Sequence, residues 1–105
     1  MKYLTNTFSP IMMAEDSSSS IVAFPAGDLP KLPTDVSSAV SHEVTAKILS
    51  ALLGREVEFN RVNLILQRGD QVYAIIPGFR ASETREFSRE EVAGAGFRSF
   101  HILIS

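Results

Sequence analysis

Short apolar runs of strand length punctuate this chain, with one longer stretch at helical spacing among them. From Lys2 to Phe8 the residues alternate and are rich in aromatic and β-branched types, which predicts a strand that Ser9-Pro10 ends, since proline removes a ladder donor. Residues Ile11 to Asp16 suit a helical turn, and the serines at 17–20 a solvated loop. Ile21-Val22-Ala23-Phe24 reads as a second short strand closed by Pro25, and the glycine and prolines between Ala26 and Thr34 predict irregular backbone.

Val44, Ile48, Leu49 and Leu52 recur at helical spacing, with Glu43, Lys47 and Ser50 left for water. Ser41 is the expected N-cap, His42 then falls in the first turn, and Gly54 is the expected stop. A shorter helical turn is expected across Asp35 to Val40. Val62 to Leu66 and Val72 to Ile76 flank the turn-forming Gln67-Arg68-Gly69-Asp70-Gln71, the pattern of a β-hairpin. Ser88-Arg89-Glu90-Glu91 matches a capping box and predicts a short helix ending near Gly94 and Gly96. Phe97 to Ile104 is a final strand. Irregular alternation of strands and helices with a hairpin predicts an α+β fold, a mixed sheet with helices packed on it, as one domain over residues 1–105.

Composition narrows the function classes. At 105 residues the chain has room for one modest core, and a second subunit is a common way for such a domain to bury more surface. A net charge of −2 argues against a broad basic face for DNA, while leaving room for a small anion held by a few arginines. No cysteine is present and the two histidines lie far apart, so neither a disulfide framework nor a recognisable metal spacing is expected. No apolar run reaches membrane-spanning length and no signal-peptide core stands at the start, which suits a cytoplasmic domain.

Against that background His42 is the most reactive candidate. A protonatable ring at a helix N-terminus, with Arg61 and Arg80 following, has the makings of a site that binds a phosphodiester and protonates its leaving oxygen. Arg80 follows the second hairpin strand and offers a guanidinium fork for phosphate oxygens, and Glu83 is a partner for it or a base. Asn6 and Ser9 flank the end of the first strand. Each also has a plain reading: a surface histidine, strand-end charges, a surface ion pair and turn-forming polar groups. His101, inside the last strand, reads as structural.

These pieces together resemble a known family. Tyr3-Leu4-Thr5-Asn6-Thr7-Phe8-Ser9, Val40-Ser41-His42-Glu43-Val44-Thr45, Leu53-Gly54, Asn60-Arg61-Val62, Arg80-Ala81-Ser82-Glu83 and Ser88-Arg89-Glu90-Glu91 look like the small viral ring nucleases that inhibit type III CRISPR defence. Nineteen residues separate His42 from Arg61 and nineteen more separate Arg61 from Arg80, as in that family. The resemblance implies a homodimer that binds cyclic tetra-adenylate and cuts it, without metal or cofactor, to linear di-adenylates. It implies His42 as general acid, the ribose 2′-hydroxyl as nucleophile, Arg61 and Arg80 on phosphates, Asn6 and Ser9 lining the pocket, and Glu83 in positioning or proton transfer. The chain departs from the family at Ile11, Val44 and Ile76, where relatives carry polar residues, changes that bear on adenine contacts. Two other classes stay open: a non-cleaving sponge or sensor for a cyclic oligonucleotide, and a binder or nuclease of linear RNA.

Overall fold

The most apolar strand of the chain, Val72 to Ile75, is buried on both faces, so it needs a neighbour along each edge and cover above and below. The structure, a computed structural model, describes residues 1–78 and 85–105. In chain order it contains β1 (Lys2–Thr5), a 3-10 turn (Pro10–Met12), β2 (Ser19–Ala23), β3 (Ser37–Ser38), α1 (Glu43–Leu53), β4 (Gln71–Pro77), α2 (Arg89–Ala95) and β5 (Phe97–Ile104). The five strands form one sheet in the order β2-β5-β4-β1-β3. β3 and β4 run parallel to β1, whereas β5 is antiparallel to both β4 and β2. The expected α+β architecture is what the chain adopts.

Each face of the sheet carries its own apolar layer. On one, Leu4, Tyr73, Ile75 and Phe97 meet Ile48, Leu49 and Leu52 of α1 and Val92 of α2. On the other, Val72, Ala74, Ile102 and Ile104 lie under Leu66, with Phe8, Met12, Met13 and Leu64 packed around them. Loops rather than a helix cover this second face.

The helices follow the sequence closely at their ends. Gly54 closes α1 in the left-handed conformation at φ 66°, donating its N–H to the Ser50 carbonyl at 3.0 Å. Ser88 caps α2 by accepting the Glu91 N–H. The Arg85 guanidinium pairs with the Glu91 carboxylate and holds its pKa below the ordinary value, so that pair's contribution is present above the carboxylate range and lost as pH falls through it.

Several expectations are corrected. The hairpin does not form: β4 pairs with β1 and β5, and, among the described residues, 62–66 make only the isolated parallel bridge of Leu66 to Met13. The turn itself exists, with Asp70 Oδ2 accepting from the Gln67 N–H at 2.8 Å. Its incoming arm lies across the second face instead of laddering, because Leu66 is buried there and both edges of β4 are taken. Asp35 to Val40 is not helical; it holds β3, drawn onto the edge of β1. Ser19 and Ser20 belong to β2 rather than to a loop, and β1 stops at Thr5, before Phe8. The N-cap of α1 is His42, one residue later than Ser41.

Candidate active site at the carboxyl ends of the parallel strands

Three parallel strands deliver three chain segments to one end of the sheet. β1 ends at Thr5 and passes into Asn6. β3 continues through Ala39, whose N–H donates to the Leu4 carbonyl at 2.8 Å, and then through Val40 and Ser41 to His42. β4 ends at Pro77 and Gly78. Carboxyl ends of parallel strands are where open sheets with helices gather ligand groups, because the loops that leave them are free of the ladder.

Two asparagines fasten these segments. Asn6 Oδ1 accepts the Ser41 N–H at 3.4 Å, joining the end of β1 to the approach to α1. Asn60 donates its backbone N–H to the Val40 carbonyl at 2.9 Å and its side-chain amide to the Ser38 carbonyl at 2.8 Å. Val40 also bridges Phe59 in parallel. Arg61 therefore leaves the strand end beside the segment that carries His42. Asn60 is the organising residue that the sequence reading passed over. Its signal was a lone amide between an aromatic residue and an arginine.

His42 is exposed, and its ring makes no capping hydrogen bond even though its backbone occupies the N-cap position. The ring stands at the positive end of an 11-residue helix. Arg61 is exposed as well, and among the described residues neither group has an ion-pair partner. The site thus combines a donor, a cation and a helix N-terminus, a set suited to an anion such as a phosphodiester.

The other candidates fare differently. Ser9 is half-buried at the start of the 3-10 turn, three residues beyond Asn6, where its N–H donates to Met12 Sδ at 3.4 Å. Arg80 and Glu83 lie outside the described residues. His101 is structural as expected: its ring stacks on Tyr73 at 4.4 Å and its Nε2 lies 3.0 Å from Gln71 Oε1. Among the described residues no cluster of histidine and carboxylates is arranged to hold a metal ion, and no helix is long and apolar enough to cross a membrane. An open cleft of about 490 Å³ beside β3 is lined by Leu4, Ser38, Arg55, Glu58 and Asn60, among others. It touches the site only through Asn60 and carries both signs of charge, so it is the less apt place for an anion.

Comparison with known proteins identifies the family and the fold. The model of the STIV B116-like family matches residues 2–99. The chain belongs to the STIV B116-like family. This family of small archaeal-virus proteins includes B116 of Sulfolobus turreted icosahedral virus, whose solved structure superposes with a TM-score of 0.74 over 97% of each chain at 19% identity. At that identity the likeness concerns the fold. Among sequence relatives, ORF116 of Acidianus filamentous virus 1, an uncharacterised protein, is 28% identical over 97 residues, covering 86% of this chain and 80% of that protein. Uncharacterised protein 26 of a Sulfolobus islandicus filamentous virus is 36% identical over 61 residues, covering 57% of this chain and 52% of its own length.

Proposed function

We propose that this B116-like protein is a metal-independent ring nuclease that opens cyclic tetra-adenylate and so silences type III CRISPR signalling in the host cytoplasm. The observation that carries the reading is the convergence of Asn6, His42 and Arg61 at one end of the sheet, with the His42 ring uncommitted to any cap. The residue types match the chemistry. A ribose 2′-hydroxyl of the ring gives up its proton to water and attacks its neighbouring phosphorus, the bond to the 5′ oxygen breaks, and His42 gives that oxygen its proton. The products are a 2′,3′-cyclic phosphate and a free 5′-hydroxyl, and two such cuts yield linear di-adenylates. Holding the ring for in-line attack supplies much of the rate, and cationic side chains stabilise charge growing on the phosphoryl oxygens. A homodimer suits a ligand of fourfold pseudo-symmetry, since an isologous pair presents two equivalent half-sites.

The test is incubation of the protein with cyclic tetra-adenylate in chelator, followed by chromatography. Linear di-adenylate supports the reading. Tight retention of intact ring without product would replace it with a sponge, a role to which the apolar Val44 and the exposed Ile76 lend some weight. Neither cleavage nor binding would remove this substrate altogether.

Arg61 and Arg80 enter as phosphate holders. Arg61→Ala and Arg80→Ala are each expected to weaken binding of the ring by about 10- to 100-fold, the worth of one charge-assisted hydrogen-bonded contact. Isothermal titration with a cleavage-resistant analogue checks this. An unchanged dissociation constant would take that arginine out of the phosphate site.

A further inference from the structure

We propose that the cleft between α1 and residues 56–59 takes an adenine base of the ring, with Phe59 stacked on the base and glutamate side chains accepting from its amino group. The inference rests on the ring-cleaving reading, which assigns groups to the phosphate and the leaving oxygen but leaves this cleft unused.

Phe59 is 50% exposed, and among the described residues it is the only phenylalanine or tyrosine left exposed. Its ring therefore forgoes much of the burial that the other aromatic residues gain. The backbone sets its place. Phe59 bridges Val40 in parallel, and Asn60 fastens the pairing by donating its N–H to the Val40 carbonyl at 2.9 Å. His42 lies two residues beyond Val40, and Arg61 lies two residues beyond Phe59. Two residues of extended chain span at most about 7 Å. The phenyl group thus stands within one nucleotide's reach of both groups proposed to meet the phosphate. An exposed aromatic face at that distance is what an unstacked base packs on.

Beside Phe59 a cleft of about 340 Å³ follows the stripe of α1 that runs from Glu43 through Ala46 and Lys47 to Ser50. Seven residues of helix give it a length of about 10 Å, enough for a purine. Its mouth is Glu43, the residue after His42, and the buried Ala46 and Val57 supply apolar lining.

The polar lining of this cleft consists mainly of acceptors. Glu43, Glu56 and Glu58 are exposed, and none of them forms an ion pair among the described residues. Lys47 is engaged by Glu86 at 3.1 Å. Ionised carboxylates only accept hydrogen bonds, so they favour a base edge that carries an amino group. Adenine presents its amino group at the end away from the sugar, where these carboxylates stand clear of the phosphates. Uracil presents carbonyl oxygens, which the same lining repels.

The test uses a cyclic tetra-adenylate built on 2′-deoxyribose, which lacks the nucleophile and cannot be cut. Phe59→Leu is expected to weaken its binding by about 10- to 100-fold in isothermal titration, and Phe59→Tyr to restore it. In proton spectra the adenine H2 and H8 resonances are expected to move upfield on wild type and not on Phe59→Leu. A deoxyribose ring with purine in place of adenine loses only the amino group and is expected to bind at least about 5-fold more weakly. If wild type binds no ring, the activity reading and this pocket fall together. If wild type binds the ring, unshifted adenine resonances or a Phe59→Leu protein of equal affinity would overturn the stack alone, and equal affinity for the purine ring would overturn the carboxylate contact.

Discussion

Replacing His42 with alanine is expected to lower single-turnover cleavage of cyclic tetra-adenylate by about 10²–10⁴-fold while leaving the ring's dissociation constant within a few-fold of wild type. The separation follows from where a general acid acts: it gives its proton to an oxygen that acquires charge only as the bond to phosphorus breaks. Stability should hardly change, because the ring is exposed and caps nothing, so its loss deprives α1 of no hydrogen bond. Rapid-quench kinetics beside equilibrium binding checks the separation. Equal losses of rate and affinity would make His42 a phosphate contact and leave the acid unassigned.

The second large effect is structural. At Gly78 an added Cβ would lie 2.7 Å from the Ala95 carbonyl oxygen and 2.8 Å from that of Gly96. Both are backbone atoms, so no side chain can swing aside. The Gly78 N–H moreover donates to the Gly96 carbonyl at 2.8 Å, locking the end of β4 to the turn between α2 and β5. Gly78→Ala is expected to cost roughly 1–3 kcal/mol, as other overpacked sites do. For a domain of this size that lowers the melting temperature by about 4–8 °C per kcal/mol. Gly94→Ala is the control, since a Cβ there meets nothing within 4 Å and alanine is the better helix former. Thermal melts of the pair decide the matter. A Gly78→Ala protein as stable as Gly94→Ala would mean that the α2–β5 turn yields freely.

What the sequence disclosed, and what it did not, divides along a physical line. Apolar patterning reports which side chains are buried, and it located α1 by helical spacing and β4 and β5 by their apolar, branched and aromatic content. It does not report which backbone edge meets which. Val62 to Leu66 has the composition of a strand because Leu64 and Leu66 are needed over the second face, yet its backbone ladders with almost nothing. Ser37-Ser38 has no strand-like side chain and becomes β3 because the free edge of β1 is there to receive it. The site follows the same rule. His42 and Arg61 stood out as charges at the borders of apolar segments, whereas their proximity depends on amide bonds from Asn6 and Asn60 between parts of the chain far apart in sequence. The expected roles of Arg80 and Glu83 fall outside the described residues.

The position of β5 in the sheet bears on how the molecule is made. It is the latest strand in chain order, yet it lies between β2 and β4. During synthesis β4 emerges with one edge bare, and β2 has nothing to pair with until residues 97–104 leave the ribosome. A nascent chain paused before that point exposes two apolar, uncharged strand edges at once, the kind of surface that aggregates or recruits chaperones. Closing the sheet also requires contacts far apart in sequence, so folding is expected to be slow for a domain of this size.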